Sequence, residues 1–487
     1  MLFNSLAFAI FFPIVTTLYY ILPHSYRWGM LLAASCFFYM WLVPKYILIL
    51  LLTIVVDYVA GIKIEESTGK KKKWWLYFSI ITTCLILFFF KYFNFFSINS
   101  AKTLTMLGWN YSPMLLNFLL PVGLSFHTFQ SLSYVIEVYR GEQKAERHFG
   151  IYSLYVMFYP QLVAGPIERP QNLLWQFHKK HSFEYDNIVK GLRQIAWGLF
   201  KKAVIADRLS ILVNNVYSNP GEQSGLALTI ATVFFAFQIY CDFSGYSDMA
   251  IGSAKVMGFK LMTNFNTPYF SKTISEFWKR WHISLSTWFK DYVYIPMGGN
   301  RCSEPRIYTN LFITFLLSGL WHGANWTYIF WGGINGVYLV FALIKNKFVK
   351  QDLHRHKWFN VFVTFALICF SWIFFRANNI EDAFTVIKGL GSGYSSLFSN
   401  IRQHGFSLIA QDTFLGLKMG MSFYNFAFSL LLIALLVVLE RFHQLYPFQK
   451  ICDEKPAWIR WSAYYVIVIV IILSGVFGGN HFIYFQF

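Results

Sequence analysis

The stretch that decides the fold is "FLLSGLWHGANWTYIFW" (Phe315–Trp331), an apolar run with a short polar group at its centre. The polar group, Trp321–Asn325, places a histidine, a glycine and an asparagine between two apolar segments. Ionisable side chains are costly inside lipid and tend to mark substrate or ion pathways. Whether this run lies in a membrane therefore decides what its polar centre can do.

The composition is that of a membrane protein. Of the 487 residues, 56% are hydrophobic and 13% are charged, whereas a soluble domain carries about 25% charged residues. Apolar runs of about 17–25 residues are typical of membrane-spanning helices. Such runs lie near residues 4–22, 27–43, 46–61, 75–97, 116–137, 226–251, 358–376, 423–440 and 460–477. The sequence predicts an all-α, polytopic integral membrane protein in contact with the lipid bilayer.

The charge distribution predicts an orientation. The 41 Lys and Arg residues outnumber the 23 Asp and Glu residues, which gives a net charge of +18. The positive-inside rule explains this excess, because Lys and Arg concentrate in cytoplasmic loops. No nucleic-acid-binding pattern appears, so we exclude a nucleic-acid partner. The basic segments "GKKKKWW" (Gly69–Trp75) and "KNKFVKQDLHRHKW" (Lys345–Trp358) mark the cytoplasmic side. Both chain termini are then expected on the other face, outside the cytoplasm.

The distribution of basic residues also predicts that the run Phe315–Trp331 contains the turn of a hairpin. Residues before Thr309 and after Lys345 are both expected in the cytoplasm, so the chain between them must enter the membrane and return. Asn310 to Trp321 is a climb of roughly 18 Å at about 1.5 Å per helical residue. In a hydrocarbon core about 30 Å thick, His322 then lies past the middle. Non-helical backbone at that depth requires a protein-lined cavity, so we expect His322 to line one.

The segment "NTPYFSKTISEFWKRWHISLSTWFKDYVYIPMGGNR" (Asn266–Arg301) carries interleaved tryptophans and basic residues. This composition is typical of an amphipathic helix that lies in the headgroup region. Glu276 and Arg280 are four residues apart and can form an ion pair on one helix face. His282 faces either lipid headgroups or an anionic ligand, and the sequence leaves both interpretations open.

Two further segments are polar within apolar surroundings. "YCDFSGYSDMAIG" (Tyr240–Gly252) places Asp242 and Asp248 near the inner end of a span, for either a hydrogen-bond network or a proton or cation site. "IYSLYVMFYPQLVAG" (Ile151–Gly165) is short and contains Pro160, which indicates a re-entrant segment. The following "GPIERP" (Gly165–Pro170) predicts a stiff loop at the cytoplasmic mouth, because proline flanks Glu168 and Arg169 on both sides.

The common soluble-enzyme motifs are absent: no GxSxG, Walker loop, HExxH or GxGxxG occurs in a suitable context. Instead, "EFWKRWHISLSTWFKDYVYIPMGGNR", followed about forty residues later by "SGLWHGANWTYIFWG", resembles the membrane-bound O-acyltransferase (MBOAT) family. "FHTFQSLSYVIEVYRGE", "FYPQLVAGPIERP" and the terminal "NHFIYFQF" are similar to its bacterial branch that acts in alginate O-acetylation. The resemblance extends along almost the whole chain.

The resemblance implies one MBOAT membrane domain over residues 1–487, with about eleven or more transmembrane helices, re-entrant segments and a central tunnel. Residues 1–137 would hold the N-terminal spans, 138–345 the core with both histidine motifs, and 346–487 the C-terminal spans. By the same resemblance, His322 matches the catalytic histidine and His282 the second motif histidine. The location it implies is the bacterial cytoplasmic (inner) membrane.

The implied reaction takes an acetyl group from a cytoplasmic thioester to an acceptor outside the cytoplasm. The expected donor substrate is acetyl-CoA, with an acyl carrier protein as the alternative, and neither a bound cofactor nor a metal is expected. An SGNH-type extracytoplasmic partner would complete transfer to a polysaccharide. Within the site, Asn325 either orients the imidazole or stabilises an oxyanion, while the candidate substrate contacts are Arg280, Lys279, Trp281, Trp321, Asp242 and Asp248.

The chemistry and the function class each leave alternatives open. His322 can act as a general base on an acceptor hydroxyl or form a transient acyl-histidine. Within the family, D-alanyl transfer to wall polymers competes with O-acetylation. Outside it, a transporter that moves a small acyl compound without chemistry would suit the same buried polar residues.

Overall fold

The computed structural model describes residues 1–41, 43–109, 111–118, 120–348, 356–392, 420–445, 453–477 and 482–483. All regular structure in these residues is helical, which confirms the all-α fold class. Most of the segment 376–420 and most of the terminal "HFIYFQF" lie outside the described residues. The orientation of both termini stays a prediction.

Eighteen α-helices precede residue 393 in the described ranges. They are α1 (Leu6–Ile21), α2 (His24–Met40), α3 (Ile47–Glu66), α4 (Gly69–Leu87), α5 (Phe93–Met106), α6 (Leu124–Arg140), α7 (Phe149–Met157), α8 (Tyr159–Leu162), α9 (Pro170–His178), α10 (Tyr185–Leu199), α11 (Asp207–Ser218), α12 (Gly225–Val256), α13 (Ile274–Arg280), α14 (Ile283–Phe289), α15 (Glu304–His322), α16 (Trp326–Phe348), α17 (Lys357–Arg376) and α18 (Ile380–Gly389). Two long helices, Phe423–Leu445 and Ala457–Ser474, follow.

Seven helical stretches in the described residues are long and apolar enough to cross a membrane. They are Pro44–Glu66, Gly69–Met106, Gly225–Val256, Trp326–Phe348, Lys357–Arg376, Phe423–Leu445 and Ala457–Ser474. The protein is therefore a multi-pass membrane protein. The expected total of about eleven spans stays a prediction.

Two of the predicted spans have different bounds in the structure. The run predicted at 75–97 belongs to a longer helical stretch, which continues through a π-helical segment at Phe88–Tyr92 to Met106. The run predicted to begin at residue 116 becomes helical only at Leu124. The late start has a local cause, because Gly123 before the helix has φ +80°, in the left-handed region that glycine adopts without strain.

The chain divides into two compact units. The N-terminal unit comprises residues 1–195 and 246–263, and the C-terminal unit comprises residues 196–245 and 264–486. Helix α12 contributes residues to both units. The division of the family domain into 1–137, 138–345 and 346–487 stays a prediction.

The core of the N-terminal unit includes the segment predicted to be re-entrant. Helices α7 and α8 are short and buried, and the break between them lies at Phe158, two residues before Pro160. Proline is tolerated there because it occupies the first turn of α8. The loop after α8 contains Glu168, whose carboxylate accepts from the backbone N–H of Met262 at 2.5 Å and from the side chain of Asn172. These contacts make "GPIERP" an ordered structural element.

The C-terminal unit contains both motif histidines. Its core is an aromatic cluster formed by side chains of α12, α13, α16 and α17. Trp281, Trp331 and Trp372 are almost completely buried in it, and the rings of Trp331 and Trp372 stack with centroids 5.8 Å apart. Aromatic pairs at such separations stabilise a core beyond their buried area. This cluster surrounds the candidate site.

Candidate active site

The helical hairpin predicted from Phe315–Trp331 is confirmed, with α15 and α16 as its arms and residues 323–325 as its turn. Glycine lets the two arms approach closely. A Cβ at Gly319 would lie 2.2 Å from the carbonyl oxygen of Tyr328, and one at Gly332 would lie 2.3 Å from that of Phe315. Small residues at helix contacts are typical of membrane proteins, where helices associate through close packing.

Asn325 closes the turn of the hairpin. Its Nδ2 donates to the carbonyl oxygen of Asn378 at 3.0 Å, and its Oδ1 accepts from the backbone N–H of Thr327 at 3.1 Å. The second bond caps the start of α16. The neighbouring Gly323 is required for steric reasons, since a Cβ there would lie 2.2 Å from the ring of Tyr328. These bonds assign Asn325 to the turn, and its predicted role on the imidazole or an oxyanion stays a prediction.

His322 is the last residue of α15 and is only 5% exposed. Its ring packs against three aromatic rings, with centroid distances of 5.0 Å to Trp321, 5.0 Å to Trp331 and 5.2 Å to Phe375. The ring of Trp331 is perpendicular to the imidazole. The pocket is therefore apolar and shielded from bulk water, and the cavity expected beside His322 stays a prediction.

The prediction of one long amphipathic helix over Asn266–Arg301 is wrong. The structure has two short helices, α13 and α14, which are interrupted at Trp281 and His282. Backbone hydrogen bonds explain the interruption. Asn266 N–H donates to Arg280 O and Ile283 N–H donates to Asn264 O, both at 2.9 Å. These bonds tie both sides of the interruption to the preceding loop and replace the continuous helical pattern.

The backbone at His282 is unusual. Its φ of +44° is in the left-handed region, where Thr267 is the other non-glycine residue among the described positions. This conformation costs a non-glycine residue roughly 1–2 kcal/mol and is found at functional sites when the surroundings enforce it. Here the surroundings include Asn264, whose Oδ1 accepts from both the N–H and the hydroxyl of Ser284.

His282 is buried, so the interpretation that it faces lipid headgroups is wrong. It is 1% exposed, and its ring centroid lies 4.5 Å from that of Phe243. Trp321 connects the two histidines, because its ring centroid lies 6.3 Å from that of His282 and 5.0 Å from that of His322. Burial lowers the pKa of His282 well below its usual range, which favours the neutral imidazole at pH 7.

Three of the predicted substrate contacts lie directly before His282. Arg280 pairs with Glu276 at 2.7 Å, as predicted, and Lys279 is exposed at the end of α13. Trp281 is 2% exposed and stacks on Phe277, which makes it part of the aromatic core. The roles of Arg280, Lys279, Trp281 and Trp321 in substrate binding stay predictions.

Asp242 lies in a buried ion cluster. Lys202 Nζ is 2.6 Å from Asp242 Oδ1 and 2.7 Å from Asp207 Oδ1, and Asp242 Oδ2 accepts from the backbone N–H of Ile483 at 2.7 Å. The next residue, Phe243, contacts His282 as described above and also Phe482, at 5.8 Å. Asp242 therefore fixes the C-terminal segment beside the ring that packs on His282.

Asp248 belongs to the N-terminal unit. Its Oδ1 accepts from Gln194 Nε2 at 3.1 Å. This contact is a structural hydrogen bond. A hydrogen-bond network was one of the two interpretations that the sequence allowed for Asp242 and Asp248. Substrate contacts by either aspartate stay predictions.

Sequence reasoning missed Trp331, Phe375 and Phe243, which contact the two histidines. Trp331 lies in the quoted run directly before Gly332, and small residues in apolar helices tend to mark close helix contacts, which was a usable signal. Phe375 and Phe243 lie 53 residues after His322 and 39 residues before His282. The sequence contains no local signal for these contacts.

The site as built suits proton transfer and acyl-group chemistry in a water-poor pocket. Two buried imidazoles are joined by Trp321, and burial strengthens any electrostatic interaction formed there. The described residues contain no group of three or more His, Cys, Asp or Glu side chains that could hold a metal ion.

Comparisons with known proteins agree with this reading. The model of the membrane-bound O-acyltransferase family matches residues 148–380, which include both histidines. The chain is 40% identical over 399 residues to the probable alginate O-acetylase AlgI of Pseudomonas aeruginosa, covering 80% of this chain and 75% of that protein. It is 34% identical over 426 residues to the peptidoglycan O-acetyltransferase of Helicobacter pylori, covering 80% of each protein.

A more distant relative has another activity in its name. The chain is 30% identical over 293 residues to the teichoic acid D-alanyltransferase of Streptococcus thermophilus, covering 55% of this chain and 70% of that protein. All these similarities agree with the family match. The chain therefore is an O-acyltransferase that belongs to the membrane-bound O-acyltransferase family.

Proposed function

We propose that this enzyme takes an acetyl group from a cytoplasmic thioester and passes it across the membrane for O-acetylation of an extracellular or periplasmic polysaccharide. The observation that carries the proposal is the buried His282–Trp321–His322 group. We assign the donor as acetyl-CoA, the membrane as the bacterial cytoplasmic membrane, and the final transfer to an SGNH-type partner outside it.

The relatives support acetyl as the group transferred. Two proteins named for O-acetylation of different polymers align with about four fifths of this chain, at 40% and 34% identity. The relative named for D-alanyl transfer aligns with 55% of it. D-alanyl transfer is thus the second candidate within the family. Membership in a family of acyltransferases favours chemistry over the non-catalytic transport that the sequence had left open.

In the mechanism that we propose, His322 acts as a general base. The neutral imidazole accepts the proton of an acceptor hydroxyl while the hydroxyl oxygen attacks the thioester carbonyl. Collapse of the tetrahedral intermediate releases the thiolate, which takes up the proton from His322. The aromatic pocket of Trp321, Trp331 and Phe375 excludes water and so protects the thioester from hydrolysis.

The developing oxyanion requires a donor, and Trp331 is the best placed. Its indole N–H is buried and has no hydrogen-bond partner among the described residues, and its ring packs on His322. The amide of Asn325, in contrast, is engaged by Asn378. A donor already in place when charge develops is the arrangement that stabilises an oxyanion. We therefore assign the oxyanion contact to Trp331 and turn closure to Asn325.

Arg280 and Lys279 are the proposed contacts for the phosphates of the donor. Both lie at the end of α13, one and two residues before Trp281. Arg280 suits this role because its guanidinium can form paired hydrogen bonds with phosphate oxygens. Binding would compete with the ion pair to Glu276, which holds the guanidinium in place beforehand.

The experiment compares O-acetyl ester on extracellular polysaccharide from cells that carry wild-type protein, His322→Ala or His356→Ala. His356→Ala is the control because this histidine is exposed, at the start of α17. Membrane abundance of the three proteins is measured in parallel. We expect ester to be lost only in His322→Ala, at equal abundance. Ester at the wild-type level in His322→Ala would overturn the proposed mechanism.

The group transferred is tested separately. Purified enzyme is incubated with a hydroxyl acceptor and either acetyl-CoA or D-alanyl-loaded carrier protein, and release of free thiol is measured. Release from acetyl-CoA alone supports O-acetylation, whereas release from the D-alanyl donor alone overturns it. Mass spectrometry of protein quenched rapidly at neutral pH then distinguishes the two mechanisms, because only the acyl-histidine mechanism leaves an acetyl group on His322.

A further inference from the structure

A second buried polar cluster lies in the N-terminal unit, around Asp57 of α3. Asp57 is completely buried inside the candidate span Pro44–Glu66. Nine residues, or roughly 13 Å at about 1.5 Å per residue, separate it from the end of α3. An ionised carboxylate at such a depth is costly and is found paired or at functional positions.

Hydroxyl groups surround this carboxylate. Ser79 Oγ donates to Asp57 Oδ1 at 2.6 Å, and Thr83 Oγ1 lies 3.2 Å from the same oxygen and 3.5 Å from Oδ2. The side chains of Ser131 on α6 and Tyr152 on α7 lie near the same carboxylate. The ligand atoms thus come from four helices and are all oxygens.

Two of these hydroxyl groups form no hydrogen bond of ordinary length and angle among the described residues. Ser131 and Tyr152 are both fully buried, and their oxygen atoms have no partner within hydrogen-bond geometry among the described residues. Buried polar groups are normally satisfied, so each such group calls for an explanation. Two unsatisfied hydroxyl oxygens beside a buried carboxylate have the arrangement expected where a further ligand binds.

The charge in the cluster is also uncompensated. Among the described residues, no Lys or Arg forms an ion pair with Asp57. The nearest basic side chain in the network is His127, whose Nε2 lies 3.2 Å from Thr53 Oγ1, one helical turn from Asp57. The cluster therefore carries one uncompensated negative charge whenever Asp57 is ionised.

We propose that Asp57, Ser79, Thr83, Ser131 and Tyr152 form a binding site for a monovalent cation, and specifically for sodium. Hard oxygen ligands select hard cations rather than transition metals. A single carboxylate matches a single positive charge, whereas calcium sites use more oxygen ligands, with several carboxylates. A hydroxyl that donates its hydrogen to the carboxylate keeps its lone pairs for the cation. The bound ion would hold α3, α4, α6 and α7 together.

The test measures thermal unfolding of the purified full-length protein in detergent as NaCl replaces choline chloride at constant ionic strength and pH 8. The variants are Asp57→Asn, which removes the charge and keeps the shape, and Asp186→Asn, an exposed carboxylate in the same unit, as control. We expect the melting temperature of wild type and of Asp186→Asn to rise with sodium and to saturate. Asp57→Asn should show no sodium dependence.

A proton is the competing ligand, and the same assay detects it. If the melting temperature rises on acidification and is equal in sodium and choline, the carboxyl binds a proton and the proposal is overturned. Should Asp57→Asn fail to fold, Thr83→Val replaces it, because valine has the shape of threonine without the hydroxyl. Loss of one ligand should raise the sodium concentration at half-saturation by about tenfold, equivalent to 1.4 kcal/mol. An unchanged midpoint would also overturn the proposal.

Discussion

The two units each bury a histidine, and the difference between them shows what marks a reactive one. His127 is 2% exposed and His322 is 5% exposed. His127, however, lies inside the regular helix α6 and bonds to Thr53 across a helix contact. His322 ends a helix at a turn, among aromatic rings. Both histidines are buried, but of these two only His322 lies where the helix is interrupted by a turn. This interruption distinguishes the candidate active site.

The most decisive test of this distinction replaces each of the two histidines with glutamine in a separate variant. We expect His322→Gln to lower the rate of thioester turnover by about 10²–10⁴-fold, the usual contribution of a general base. Its thermal stability should change little. His127→Gln should lower thermal stability and leave turnover per folded molecule near the wild-type value. Equal losses of turnover in the two variants would contradict the distinction drawn between the units.

Trp331→Phe sharpens the comparison within the C-terminal unit, because it removes the indole N–H and retains an aromatic ring. We expect kcat to fall by about 10²-fold, as for loss of one oxyanion donor, with KM for the donor unchanged. Trp372→Phe is the matched control, since Trp372 stacks on Trp331 in the same core without packing on His322 in any observed contact. A fall confined to KM would assign Trp331 to substrate binding instead.

The left-handed backbone at His282 provides the next test. His282→Gly and His282→Ala both remove the imidazole, so both should lower turnover. Glycine adopts φ +44° without strain, whereas alanine does not. We therefore expect the glycine variant to be more stable than the alanine variant by about 1–2 kcal/mol, measured by chemical unfolding in detergent. An alanine variant of equal stability would show that the surroundings do not impose this conformation.

The hairpin contact can be tested with two adjacent glycines. A Cβ at Gly332 would lie 2.3 Å from a backbone oxygen, while a Cβ at Gly333 would lie 3.6 Å from the flexible side chain of Leu316. We expect Gly332→Ala to destabilise the protein by about 1–3 kcal/mol, the cost of overpacking. Gly333→Ala should be close to neutral in the same unfolding assay. Similar stabilities would mean that the arms can separate without cost.

The sequence predicted well those features that depend on short segments. Apolar length predicted most of the long helices, and the charge of the flanking loops predicted the hairpin that contains His322. Glu276 and Arg280 pair as predicted because both lie in one short helix.

Features that depend on distant parts of the chain were not predictable. The interruption at His282 arises from backbone bonds to Asn264 and Asn266, which have no counterpart in helix periodicity. The pocket of His322 includes Phe375, which belongs to another helix. Asp242 forms an ion pair with Lys202, which lies forty residues away in the sequence. Periodicity describes one element at a time, so it does not report which elements meet.

The smallest expected effect concerns Glu168, a carboxyl in the loop "GPIERP" of the N-terminal unit, outside the spans. Burial raises the pKa of Glu168 from 4.5 to about 7. The folded state then binds this proton more tightly than the unfolded state does, so stability is lost as the pH rises from about 4.5 through 7.

Between pH 6 and pH 8 this loss amounts to about 1 kcal/mol for a shift of this size. We expect wild-type protein to unfold more readily at pH 8 than at pH 6, and Glu168→Gln to show less of this decline. Asp186→Asn is the control, because Asp186 is an exposed carboxylate of the same unit whose partner is Lys190 rather than a histidine. If Glu168→Gln retains the full pH dependence, the titrating group lies elsewhere, and the loop carboxyl is ionised in the folded protein despite its burial.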